Sequence, residues 1–389
     1  MVEAEIALNA VDAADVLLQA SNDGLSLGEF GDVTDQLSNA ELWVGALAGG
    51  AFGAALGALP AFIFTGFLVV AGVFSGGPSF TGVGVGFGPV FGPHISFAGG
   101  AAAAAYAASQ GKMESGFDYH NAKDIGFALG SRPDIMAVGA LFAAGGLAVE
   151  QFSRQMALPM DPIPFSIVVS AFVHRAVFGY SVVGNVSSKA NGFFDMGPFE
   201  REETREPGEV VGDADMDGEE RLAVEPWLPE MYKWSHVAAI GAVAGTAAAY
   251  ITVTLASSVG LNAVFGGFGI SAASLVFLNL GVARIPVTHH MTLPAATAAM
   301  AVHEGSITNI AGYTDPGGLA VGLVPAILIG TVFGVLGALI GEAGQRIFYA
   351  HSDTHLDPPA VAIVATTLII GVLVAAGVFE WGVWIPGTT

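Results

Sequence analysis

From Leu42 to Gly111 the chain runs for seventy residues without a single Asp, Glu, Lys or Arg. A soluble domain carries about 25% charged residues and does not leave so long a stretch bare. A bilayer core needs about 20 apolar residues for each helical crossing. The stretch therefore has the length and character of several membrane passes. The composition of all 389 residues agrees, with 53% hydrophobic, 12% charged and a mean hydropathy of +0.64. The expected fold class is all-α: a polytopic transmembrane helical bundle of eight to ten spans, surrounded by the lipid bilayer of the cell membrane.

The formal net charge of -22 has to be reconciled with that apolar bulk. Residues 1–41 hold nine acids and no base, and residues 195–230 hold thirteen acids and three bases. Together they contribute -19, leaving -3 for the rest of the chain. Charge is costly at membrane depth, so its confinement to two segments marks those segments as water-exposed. The chain accordingly divides into an acidic N-terminal segment (1–41), a first transmembrane half (42–184), an acidic cytoplasmic linker (185–233) and a second transmembrane half (234–389). Residues 3–20 place apolar side chains at helical spacing and read as a short amphipathic helix. No basic n-region of a secretory signal precedes it. With no cysteine, thiolate metal sites and disulfides are excluded. With 12 Lys and Arg against 34 acids, nucleic acid is not an expected partner.

The expected spans are Trp43–Phe74, kinked at Pro60, Pro93–Ser109, Asp134–Arg154, Ile163–Val183, His236–Ser258, Ala263–Val282, Thr288–Val302, Gly318–Ile347 and Pro359–Phe379. Ser75–Gly92 is uncharged but rich in Gly and Pro, and reads as a re-entrant or broken segment. Irregular backbone survives in lipid only when buried in protein or lining a watery cavity. Lys112, Lys123 and Arg132 share one loop, and Lys189, Arg201, Arg205, Arg221 and Lys233 share the linker. An even number of crossings lies between them, so the positive-inside rule puts both in the cytoplasm. The N-terminus joins them if the stretch before Lys112 also crosses an even number of times.

The halves echo one another. His94-Ile95-Ser96 and His290-Met291-Thr292 each open a small-residue helix. Glu150/Arg154 and Glu342/Arg346 are both i,i+4 pairs, and Asp161-Pro162 and Asp357-Pro358 both open the next helix. The order is shared, which predicts a two-fold internal repeat with the solute site where the repeats meet.

A helix start in a membrane offers free N–H groups and a positive dipole end. With His94, Ser96, His289, His290 and Thr292 beside such starts, the expected use is a substrate or ion pathway. The alternative is caps that satisfy only their own backbone. Arg175, inside an apolar span, would be a fixed countercharge, with Glu150 or Glu342 as partner. The alternating ligands of His351, Asp353 and His355 form a candidate metal loop. No resident cofactor is expected, and no nucleotide-binding motif appears.

At the level of composition and helix layout the chain resembles the uncharacterised multi-pass, permease-like membrane proteins of halophilic archaea. That resemblance assigns no site residues. The expected function is a transporter or channel for a small solute or ion, in a form compatible with homo-oligomers. Its alternatives are a membrane-embedded metal-dependent enzyme and a structural or assembly subunit.

Overall fold

The computed structural model describes residues 38–75, 82–113, 115, 117, 119–206, 209, 221–302 and 323–388. The amphipathic segment 3–20, most of the acidic N-terminal segment, residues 210–220 of the linker and residues 303–322 lie outside the described residues. Within them the protein is all-α, and the sole extended pairing is an isolated bridge between Thr204 and Leu222.

The first half contains α1 (Ala40–Leu56), α2 (Ala58–Phe74), a short α3 (Gly82–Phe87), a π-turn (Pro93–Phe97) leading into α4 (Ala98–Ser109), α5 (Pro133–Gln155) and α6 (Pro162–Phe178). A four-residue α7 (Gly197–Glu200) sits in the linker. The second half contains α8 (Trp234–Val259), a 3-10 turn (Gly260–Phe265), α9 (Gly266–Asn279), α10 (His289–Ala301), α11 (Leu323–Phe348) and α12 (Pro358–Ala375).

Among the described residues five helical segments are long and apolar enough to cross a membrane, and the α1–α2 pair counted as one span makes six. This is fewer than the eight to ten crossings expected from the sequence. The reason is helix length. α4, α6 and α10, of 12, 17 and 13 residues, are about 18–26 Å long at 1.5 Å per residue, short of a core of about 30 Å. The uncharged stretch is cut into such lengths by its glycines. The break in the first span falls at Gly57 (φ 95°) rather than at Pro60, and it turns the chain by 119° instead of kinking it. Pro60 is accommodated in the first turn of α2, where its missing N–H costs nothing.

Glycines also set the packing. A Cβ built on Gly50 of α1 would collide with the carbonyl oxygen of Gly139 of α5, so the two backbones touch. α8 and α11 meet in the same way, at Gly245 and Gly334. In lipid, where hydrophobic burial no longer drives helices together, such close approach supplies the dispersion contact. Pairings recur in order across the halves: α1 with α5 and α8 with α11, α4 with α5 and α10 with α11, α5 with α6 and α11 with α12. The halves meet through α2 against α9 and α6 against α12.

Corresponding helices run in opposite directions. One end of the bundle is capped by the 112–132 loop, the linker and residues 349–357, tied together by Lys123–Glu225 and Arg221–Asp353. α5 starts at this capped end, whereas α11 finishes there. α6 ends there at Arg175, beside the start of α12. Across the seam, Gly66 of α2 faces Ala272 and Ala273 while Gly269 of α9 faces Val69 and Val70, an antiparallel crossing. α1 begins at the far end, where Ala46 packs with Ile95, Ala143 and Leu147, and reaches the capped end at Gly57. The two basic loops therefore lie at one end of the molecule, as the positive-inside reading required of them. Residue 40 lies at the other end, because α1 runs towards the capped end, α2 away from it and α4 back towards it.

The linker is less detached than its acidity implied. Its described parts are packed: Glu225 N donates to Ala350 O, Trp227 N donates to Gln345 Oε1, and Val224 is buried with Met196 and Ala350.

Candidate functional site

The seam between the halves holds a half-open cavity of about 550 Å³. The break at Gly57 lets α2 lean across the bundle, and this brings Leu59 and Phe62 to the cavity wall. Phe97 comes from the π-turn, Ile167 from α6, and Leu275, Leu278 and Asn279 from α9. At the capped end the wall is completed by Tyr119, Lys123 and Phe127 of the loop, Trp227 and Leu228 of the linker, and Tyr349, His355 and Asp357. The lining is thus mainly aromatic and aliphatic with a few polar groups at one end, the usual make-up of a small-ligand site.

A buried ionic network stands behind that polar end. Lys123 Nζ lies 2.5 Å from Glu225 Oε2, and Arg221 lies 3.0 Å from Glu225 Oε1 and 2.5 Å from Asp353 Oδ1. All four groups are at least 94% buried, so each needs the others. Burial alone would push the Glu225 carboxyl up, but Arg221 and Lys123 outweigh it and hold the group at about 2. Burial draws the Lys123 ammonium down to about 8 against the pull of Glu225. Lys123 also lies 4.6 Å from the centroid of the Tyr349 ring, a cation–π contact.

Some residues anticipated from the sequence line this cavity and others do not. His289 does, with its ring 4.8 Å from that of Phe62. His290 points away, towards the Trp227 ring at 6.0 Å and against Gly341. His94 is fully enclosed near the far end, with Glu150 and Arg154 as its nearest charges. Ser96 Oγ donates to Phe91 O at 3.4 Å and Thr292 Oγ1 to His289 O at 3.2 Å, so both hydroxyls are spent on local backbone. The His-x-Ser and His-x-Thr sites are therefore not brought together in one pocket. The backbones beneath them do match: the carbonyl of His94 lies against Gly146 of α5, and that of His290 against Gly337 of α11.

Arg175 is fully buried but pairs with neither Glu150 nor Glu342. It sits in the last turn of α6 and donates to Thr354 Oγ1 (2.8 Å), Val182 O (2.8 Å), Phe348 O (2.7 Å) and Ser352 Oγ (2.8 Å). It is a clamp that holds the α11–α12 loop. Glu150 is ion-paired with Arg154, and Glu342 with Arg346 at 2.6 Å. Arg346 further donates to Phe194 O and Tyr232 O, joining α11 to the linker.

The candidate metal loop does not converge. His351 Nε2 meets Phe193 O at 3.2 Å, Asp353 is engaged by Arg221, and His355 Nε2 lies 3.4 Å from Asp357 Oδ1. Three partners in three directions replace the tetrahedral set that zinc requires, and no group of three His, Asp or Glu is arranged for a metal ion among the described residues.

Sequence reasoning missed Lys123, Asp124, Trp227, Tyr349 and the aromatic lining. The buried Lys123 had one faint signal, as one of four lysines in the chain. The aromatics had none, because they come from five separate elements and share no spacing.

No curated protein and no solved structure matches this chain. Residues 32–388 match a family of unknown function, DUF7973, and the chain belongs to that family.

Proposed function

We propose that the protein is an integral membrane transporter or channel of the cell membrane that moves a small solute or ion through the cavity between two inverted repeats. The observation that carries the reading is the position of the cavity. It lies at a seam formed by α2 against α9 and α6 against α12, and these are the elements that correspond in order while running in opposite directions. Inverted repeats that meet at a central solute site, with broken helices beside it, are a recurring transporter plan. The turn at Gly57 and the π-turn at Pro93 supply such broken helices here. The apolar helices favour the bilayer as surroundings. The metal-enzyme alternative loses its support with the dispersal of His351, Asp353 and His355.

The test is solute flux into proteoliposomes across a panel of inorganic ions, amines and small metabolites. Ile167 lines the cavity, and Ile167→Trp should fill it. Val44 is 67% exposed on α1, so Val44→Trp serves as the control. The wild type should move at least one member of the panel, with Ile167→Trp slowing it about tenfold and Val44→Trp leaving it unchanged. No flux across the whole panel, or equal flux through Ile167→Trp, would overturn the proposal.

A further inference from the structure

The chemistry of the cavity selects its occupant, an inference that rests on the cavity's being the solute site. Among the described residues three formally charged side chains line it: Lys123, Asp124 and Asp357. Lys123 is already engaged, 2.5 Å from Glu225 and over the Tyr349 ring, so it has little to offer an incoming anion. It also demonstrates that this wall can hold an ammonium between a carboxylate and an aromatic face.

The remaining polar groups are mostly acceptors. Asp124 Oδ1 accepts from Gly126 N, and Asp357 Oδ2 from Ala360 N, and each carboxylate keeps further lone pairs. His289 and His355 line the cavity as well, but their Nδ1 atoms are buried away from its surface. Among the described residues one Lys against two Asp gives the lining a formal charge of -1. Phe62, Phe97, Phe117 and Trp227 supply aromatic surface around these acceptors.

Among the described residues an anion would find no uncommitted cation. A neutral molecule would leave the negative charge of the two carboxylates unopposed. We infer that the cavity takes a small organic ammonium ion with an apolar body. Its N–H groups are directed to the Asp124 and Asp357 carboxylates, and its body lies among the aromatic rings.

Isothermal titration of the full chain in lipid nanodiscs, using three probes of one size, tests this. Phenethylammonium should bind about tenfold more tightly than neutral 2-phenylethanol, the weight expected of a desolvated cation among aromatic rings and acceptors. Phenylacetate should bind more weakly still. Asp124→Asn and Asp357→Asn should each weaken phenethylammonium about tenfold and leave 2-phenylethanol nearly unchanged. Equal binding of the ammonium and the alcohol, a preference for phenylacetate, or no binding by any probe would each overturn the inference. The wild-type ranking needs no variant, so misfolding of either variant leaves the test standing. Phenethylammonium that binds yet does not cross a proteoliposome membrane would count against transport but not against this ligand class. A solute that crosses, is blocked by Ile167→Trp and ignores saturating phenethylammonium would count against the ligand class but not against transport.

Discussion

At the scale of single residues, the buried charges do structural work at the capped end. Arg175 joins α6 to the α11–α12 loop through a planar fork of donors that Lys does not reproduce. Arg175→Lys should therefore lower stability by about 2–4 kcal/mol, since several acceptors lose a charged donor at once. Thermal unfolding in detergent measures this, and a shift no larger than that of a surface substitution would contradict the clamp. Glu225 yields a pH prediction. Its carboxyl is held at about 2 in the folded protein, below the usual value of about 4.3. The stability it contributes is present above the unfolded value and is lost as pH falls from there towards 2. The difference amounts to about 3 kcal/mol. The gap in unfolding temperature between wild type and Glu225→Gln should accordingly narrow from pH 7 to pH 3. A gap that stays constant would show that Glu225 is not held by its cations.

At the scale of elements, close packing of glycine backbones decides which helices pair. Gly139 and Gly145 lie on the same helix and differ in surroundings. A Cβ on Gly139 would meet Gly50 O at 2.5 Å and Ala54 Cβ at 2.7 Å, whereas one on Gly145 meets nothing within 4 Å. Gly139→Val should destabilise by about 1–3 kcal/mol or more through overpacking. Gly145→Ala should be neutral or stabilising by up to about 1 kcal/mol, because Ala favours the helix. Equal effects in a detergent melt would remove the α1–α5 contact from the explanation. Much at this scale was legible in the sequence. The helix starts at Asp161-Pro162 and Asp357-Pro358 are where the Asp-Pro pairs place them, with each Asp side chain accepting from the first turn. The number of full crossings was not legible. Composition reports that a stretch is apolar, but whether a glycine turns the chain or merely sits in a close contact depends on the helix it meets.

At the scale of the whole molecule, opposite running directions in the halves make a topological prediction. The chain has no natural cysteine, so single cysteines are unique labels. Ser131 precedes α5 at the capped end, and Met156, 55% exposed, follows it at the far end. In sealed right-side-out vesicles a membrane-impermeant maleimide should label only one of Ser131→Cys and Met156→Cys, and in inverted vesicles the other. Labelling of both from one side would remove the membrane crossing by α5, and the proposed inverted repeat with it.

The chain's composition and patterning were enough to establish an all-α molecule with long apolar helices, charge held in two segments, and two basic loops at one end. These features arise from local chemistry, because a residue's tolerance for lipid or water does not depend on its distant neighbours. The tertiary structure alone decided which polar groups share a space. It separated His94 from His290, turned Arg175 into a clamp and dispersed the metal loop. It assembled a cavity from Phe62, Phe97, Lys123, Trp227, His289, Tyr349, His355 and Asp357. Those residues come from six segments up to 295 positions apart, from Phe62 to Asp357, and what joins them is the crossing of two halves whose contacts carry no signature along the chain.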